Sequence, residues 1–371
     1  SLRTTRLAEQ REIGAIILAS RGVFPGEEKD GLRNRRLFNN AAQRALRKAA
    51  AGITEGMTPA NLPWFKHDFL DPAQREMTGT RQFADQIDER LYAALAAGGF
   101  YQAIHNFNKE LLAFGCALLT AEEGFDPLVR YSCQTCGTYA IAMDRKDSLE
   151  CVVRRLTFGV RELISRFGKD RVSEGVRSKA EREPYAPVNV VHVVMRRDER
   201  QKGKADNRNM PYASYWYEPD GGRDLLRESG FEEMPFFFTR WDDARGIYGT
   251  GPGDEAKSEQ KGLESYELRK AVGLEKMIDP PMVAPGSLGV HLKTYAGAIN
   301  KDNGFTSGQP NSLRALYEIN FGPALGAVQE EIQNISQRID DIMMASVFAS
   351  IPLDQRPADM SATEFMARRR E

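Results

Sequence analysis

Apolar residues recur at helical spacing over much of the chain. In "TTRLAEQREIGAIILAS", Leu7, Ile13, Ile17 and Leu18 share one side and leave Arg and Glu to the others, which predicts an amphipathic helix. A second helix is predicted over "RNRRLFNNAAQRALRKAAAGITEGM", after the breaker-rich "RGVFPGEEKDG". Phe83, Ile87, Leu91 and Leu95, then Ile104, Phe107, Leu111 and Leu112, predict two core helices separated at Gly98-Gly99. From about residue 127 the period shortens, and "PLVRYSC", "TYAIAMD" and "LECVVRRLT" read as strands of a small sheet with turns at "QTCG" and "RKDS". Helical pattern resumes at "GVRELISRFG" and runs on through "KDRVSEGVRSKAER" until Pro184 stops it.

Residues 184 to 250 alternate short β-like segments ("VNVVHVVMRR", "YASYWYE", "MPFFFTRW") with long polar excursions, the pattern of an inserted β module with surface loops. "GIYGTGPGD" then launches a long charged helix ending at "DPP". Its thin apolar seam of Leu263, Tyr266, Leu274 and Met277 is too narrow for a central core helix, so it must find partners elsewhere. "YAGAINKDNGFTSGQPNS" is too polar to bury and too long for a tight turn, hence a functional loop. Val328, Ile332, Ile335, Ile339 and Ile342 follow in a heptad-like stripe. Ser361 and Glu364 form a capping box that opens a helix near the last residue, so the chain is expected to be a piece of a longer protein.

A length of 371 residues admits two or three domains, and 41% hydrophobic with 28% charged residues argues against disorder or a membrane protein. No run approaches a bilayer span. The 51 Lys and Arg balance 52 Asp and Glu, so any nucleic-acid contact is expected to be local. The charge is uneven: residues 1 to 50 hold eleven basic and five acidic residues (+6), and residues 161 to 210 hold thirteen and eight (+5). On the first helix, basic residues on a solvated face explain this more simply than phosphate contact. Four cysteines and no signal peptide point to a reducing compartment and a cytoplasmic origin.

Candidate chemistry is sparse. Cys133 and Cys136 form a C-x-x-C in a hairpin turn, half of a four-thiolate zinc site, but Cys116 and Cys151 stand alone in apolar patterns where buried thiols are ordinary. His67, His105, His192 and His291 have neither metal-ligand spacing nor a nucleophile beside them, and read as structural. "GTGPGDEAK" lacks the Gly-Lys-Ser/Thr of a phosphate loop. Asp242 and Asp243, or Asp340 and Asp341, raise two-metal chemistry, yet one pair adjoins a breaker and the other lies on the polar side of the Ile-striped helix. Two alternatives stay open: a metal-dependent nucleic-acid-processing enzyme and a zinc-stabilised structural adaptor.

"GIYGTGPGDEAKSEQKGLESYELRKAVGLEKMIDPPMVAP", "LYAALAAGGFYQAIHNFNKELLAFGCALL" and "MSATEFMARRRE", in their order, resemble the head-to-tail connecting (portal) family of short-tailed phages. The resemblance implies an α+β, mainly α, elongated subunit. Residues 1–155 would be a wing of helices plus a small sheet, 156–183 a first stem helix, 184–251 a β-containing clip and 252–279 a second stem helix. Residues 280–350 would return to the wing with a channel loop and a long helix, and 351–371 begin a crown.

It further implies a homo-oligomeric ring, usually of twelve subunits, at one capsid vertex. Double-stranded DNA would pass without sequence specificity, and terminase, tail adaptor, capsid and scaffold proteins would be partners. The expected setting is the virion, after assembly in the host cytoplasm, with no enzymatic activity, cofactor or membrane. On this resemblance Asn300, Lys301, Asp302, Asn303, Gly304 and Phe305 form the channel loop. Arg196, Arg197, Arg200, Lys202 and Lys204 form a docking surface on the clip, and Leu263, Tyr266, Leu274 and Met277 the stem seam. A polar, nearly neutral loop suits a conduit, because tight neutralisation of phosphates would hold the DNA back.

Overall fold

Ile332, Ile335 and Ile339 are buried, with Val328 and Ile342 packed beside them, as the heptad-like spacing predicts. The computed structural model describes residues 2–24, 37–69, 71, 78–201, 203–204, 206–221, 225–242, 246–285, 293–302, 314–315 and 322–349. The fold is α+β. Its main core joins helices α1 (Leu2–Ile16), α2 (Ala41–Met57) and α4 (Phe100–Phe114) to the long α7 (Pro252–Ile278), α8 (Gly322–Ile342) and α9 (Ala345–Ala349). α3 (Thr78–Ala97) precedes α4, and the break falls at Gly98-Gly99, where Gly99 takes φ +74.

α2 begins later than its pattern predicts. Phe38 N and Asn39 N donate to the Glu264 carboxylate of α7 (2.8 and 3.0 Å), and Gln260 Nε2 donates to Asn39 O (2.7 Å). Residues 37–40 are thereby held outside the helix.

The strands pair differently from the expected division at residue 155. β1 (Cys116–Glu123) lies between β2 (Val129–Gln134) and β8 (Phe236–Arg240). β3 (Tyr139–Met143) and β4 (Leu149–Gly159) continue into β5 (Pro187–Arg196), β6 (Tyr212–Tyr217) and β7 (Leu225–Phe231) as one antiparallel five-stranded sheet. Residues assigned to a wing sheet and to a clip therefore share hydrogen bonds. Val153 faces Val193, for example, and Leu119 faces Phe237.

The helix expected over 156–183 is also corrected. β4 runs to Gly159, α5 covers Val160–Phe167 and α6 only Glu174–Lys179. Gly168, at φ +92, ends α5, and Ser173 caps α6 by accepting from Val176 N. Val160, Leu163, Val172 and Val176 instead roof one end of the five-stranded sheet with Phe158, Val190, Trp216 and Leu226. Leu118 and Phe236 of the three-stranded sheet cover the other end with Val152 and Val194.

Candidate functional site

α7 is the element that leaves the core. A helix of 27 residues is about 40 Å long. Its first half is seated: Pro252, Gly253, Ala256, Gln260 and Leu263 are buried. The "GTGPGD" motif is what permits that seat, for Gly115 (φ +74) and Gly253 allow the ends of α4 and α7 to touch through backbone. Pro252 opens the helix and Asp254 accepts from Gly251 N (2.9 Å), closing its first turn. Arg6 of α1 donates to both Asp254 oxygens (2.5 and 2.8 Å) and to Phe114 O (2.9 Å). Burial would lower the Arg6 guanidinium, but Asp254 and Glu9 outweigh it and hold it above its usual range. Arg6 and Gln10 extend the Ile13, Ile17 stripe of α1 toward its start, and polar residues in such a register are the sign of this junction on the α1 side.

Beyond Leu263 the helix changes character. Of the expected seam, Leu263 is fully buried and Leu274 half-buried, whereas Tyr266 and Met277 are exposed. Leu268, Val272 and Ile278 are exposed as well, at 45%, 39% and 80%. At 100° per residue, Tyr266 and Met277 lie on one side and Leu268 and Val272 nearly opposite, so apolar surface remains on two sides.

The basic residues expected to dock partners divide. Arg196, Arg200 and Lys204 are exposed where β5 turns toward β6. Arg197 is half-buried, pairs with Glu228 (3.2 Å) and lies over the Tyr215 ring, so it braces the sheet. Lys202 lies outside the described residues.

The expected channel loop divides too. Ile299–Asp302 is strand β10, parallel to β9 (Met282–Pro285), with β11 (Arg314–Ala315) on the other side of β9. Asn300 is buried and its side chain clasps Lys293 N and O (both 2.8 Å), a structural role. Lys301 and Asp302 continue the strand, while Asn303, Gly304 and Phe305 lie outside the described residues.

The C-x-x-C turn is a clasp on α4. Fully buried Glu110 accepts from Arg21 Nε (2.7 Å), Thr135 Oγ1 (2.6 Å) and Cys136 N (3.0 Å). Burial raises its carboxyl against the pull of Arg21. Burial also pushes the Cys133 and Cys116 thiols up to about 12 and Cys136 well above its ordinary value, which works against the thiolates a zinc site needs. Among the described residues no three His, Cys, Asp or Glu side chains gather to hold a metal ion. Asp242 bridges to Thr250 through backbone, and Asp340 lies 4.0 Å from Lys48. His67 pins its segment to Asp88, whose carboxyl it lowers, and His105 Nδ1 lies 3.3 Å from Thr54 Oγ1. His291 lies outside the described residues.

A buried polar chain crosses the five-stranded sheet between its two apolar ends. Glu122 accepts from Arg154, Arg154 Nε donates to His192 Nδ1 (2.9 Å), and His192 Nε2 bonds Ser214 Oγ (2.9 Å). Because Arg154 is a donor only, Nδ1 must accept, and Nε2 carries the proton it gives to Ser214. That is the reverse of a serine nucleophile with its base, and the row braces the sheet.

Burial, with Arg154 and Arg166, pushes His192 down to about 2. Its ordinary value is 6.5. The unfolded chain therefore binds the extra proton, and stability present above the ordinary value is lost as pH falls below it. Between pH 7 and 5 the loss is about 2 kcal/mol. Urea unfolding of the natural chain and His192→Gln at those two pH values checks this, since the variant should lack that component of the acid slope. Equal slopes in the two proteins would show that His192 is not held neutral.

A seated half-helix, an unpaired apolar half and an exposed basic hairpin describe a subunit with surfaces left to cover. The family model of the bacteriophage head to tail connecting protein matches residues 1–371. The chain belongs to that family. The probable portal protein of Bordetella phage BPP-1 is 30% identical over 380 residues, covering 100% of this chain and 67% of that relative. The portal protein of Salmonella phage epsilon15 is 28% identical over 340 residues, covering 89% of this chain and 59% of that relative. The connecting-protein chain thus spans roughly three fifths to two thirds of the relatives it matches.

Proposed function

We propose that this chain is a portal subunit, which assembles with copies of itself into a ring at one capsid vertex. DNA passes through that ring during packaging and ejection. The full-length family match carries the reading, and the exposed half of α7 supports it. Apolar surface on two sides of one helix suits a head-to-tail arrangement, in which each copy meets a neighbour on either hand and the ring closes, better than a single two-fold contact.

In this proposal the ring is a passive conduit and platform in the virion, built in the host cytoplasm from about twelve copies. Capsid and scaffold proteins surround it, and terminase and then the tail adaptor dock on the hairpin carrying Arg196, Arg200 and Lys204. ATP hydrolysis belongs to the terminase. Among the described residues no helix is long and apolar enough to cross a membrane.

The test is Leu268→Glu with Val272→Glu. Both side chains are already exposed within the subunit, so its folding should be unchanged by circular dichroism. Burying two carboxylates between copies would cost far more than the about 1.5–3 kcal/mol that each apolar side chain contributes. Size exclusion with light scattering should show the assembly falling apart. An assembly of unchanged mass would mean that this half of α7 is not between copies.

A further inference from the structure

The basic residues of the first fifty positions are not used alike. Arg6 pairs with Asp254 and Arg21 with the buried Glu110, and Lys48 lies near Asp340. Arg44 and Arg47 are exposed on α2, one turn apart, and among the described residues neither has a carboxylate partner; Arg47 Nε donates only to Gln43 O (3.2 Å). Where α2 packs on α4, Lys109 is half-buried, and its ammonium has no hydrogen bond or ion pair among the described residues. The charges that act on it are those of Arg21 and Arg47, and burial first, then these two cations, weakens its hold on its proton. The carboxylate next to it in the chain, Glu110, is taken up by Arg21, Thr135 and Cys136 N.

A half-buried ammonium beside two guanidinium groups lowers stability, and Met or Gln in its place would relieve the strain. Residues three apart on a helix stand about 5–6 Å apart, which sets Arg44 beside Arg47. Lys109, on the helix packed against α2, lies close enough to feel the charge of Arg47, so the three make one group of unneutralised cations. A single carboxylate would neutralise one of them, whereas a polyanion would engage all three. We propose that Arg44, Arg47 and Lys109 form a phosphate-docking patch for double-stranded DNA, gripping the backbone without reading sequence. The patch rests on the portal reading only for the identity of the polyanion.

Fluorescence anisotropy of a short labelled DNA duplex, titrated with the assembled protein from low to physiological salt, tests the patch. Arg47→Gln with Lys109→Gln should bind at least roughly tenfold more weakly at low salt, with the slope of log K against log salt shallower by about 2. Lys109→Met alone should weaken DNA binding while raising the unfolding midpoint, a combination that a merely structural lysine would not give. Unchanged affinity and slope in the double variant would overturn the patch. So would natural protein that binds a polyglutamate peptide but not the duplex, which would point to an acidic protein segment instead. Assembly mass read on the same samples keeps failure of the ring separate from failure of the patch.

Discussion

Gly253→Ala is expected to destabilise the chain by about 3 kcal/mol, the upper end for overpacking, because the site cannot yield. A Cβ at this position would lie 2.1 Å from Ala113 O, with Ala113 C and Cα at 2.8 and 2.9 Å. These are backbone atoms of α4, and Leu112, Ala113 and Phe114 around them are fully buried. The clash can be relieved only by lifting α7 off its seat, which strains the Arg6–Asp254 pair at the same junction. Gly262→Ala is the control: it lies on the same helix and meets nothing within 4 Å. It should stabilise by up to about 1 kcal/mol through helix propensity. Thermal unfolding of both variants checks the pair of signs. A Gly253→Ala chain as stable as Gly262→Ala would mean that α7 is not seated this closely.

Arg154→Met should cost about 3 kcal/mol, the low end for removing one partner of a buried pair because Glu122 is a third exposed. The substitution leaves the Glu122 carboxylate without its cation and His192 Nδ1 without a donor, and removes the guanidinium from over the Trp216 and Phe236 rings (5.6 and 5.2 Å). Adding Glu122→Gln should recover part of the loss, since the stranded charge is gone. Denaturant midpoints of the two single variants and the double variant measure that coupling. Additive losses would show that the pair does not act as a unit.

Local periodicity made much of this legible. Ile332, Ile335 and Ile339 face the core, and Gly98-Gly99 separates α3 from α4. What was hidden is non-local. Nothing in the alternation of β1 or β8 says that Leu119 pairs with Phe237, more than a hundred residues away, because a period of two names a face and not a partner. For the same reason the alternation of β4 and β5 does not tell that strands on either side of residue 155 share one sheet. Arg and Lys along 161–182 suited a single charged helix, yet Gly168 and Ser173 end and restart it where the sheet needs a roof. Asn300 looked like a loop residue for its polarity, while its amide is spent on Lys293 backbone. Among the expected site residues, Arg196, Arg200 and Lys204 emerged exposed, and Arg197 did not, since only the fold brings Glu228 beside it.

The central claim is that copies of this chain close into a ring. The mass of the native assembly by light scattering, with negative-stain images of the same sample, tests it most directly. The expected result is a ring with a central channel and a mass near twelve times the 41.6 kDa chain. A stable 41.6 kDa monomer, under conditions that preserve assemblies, would contradict it.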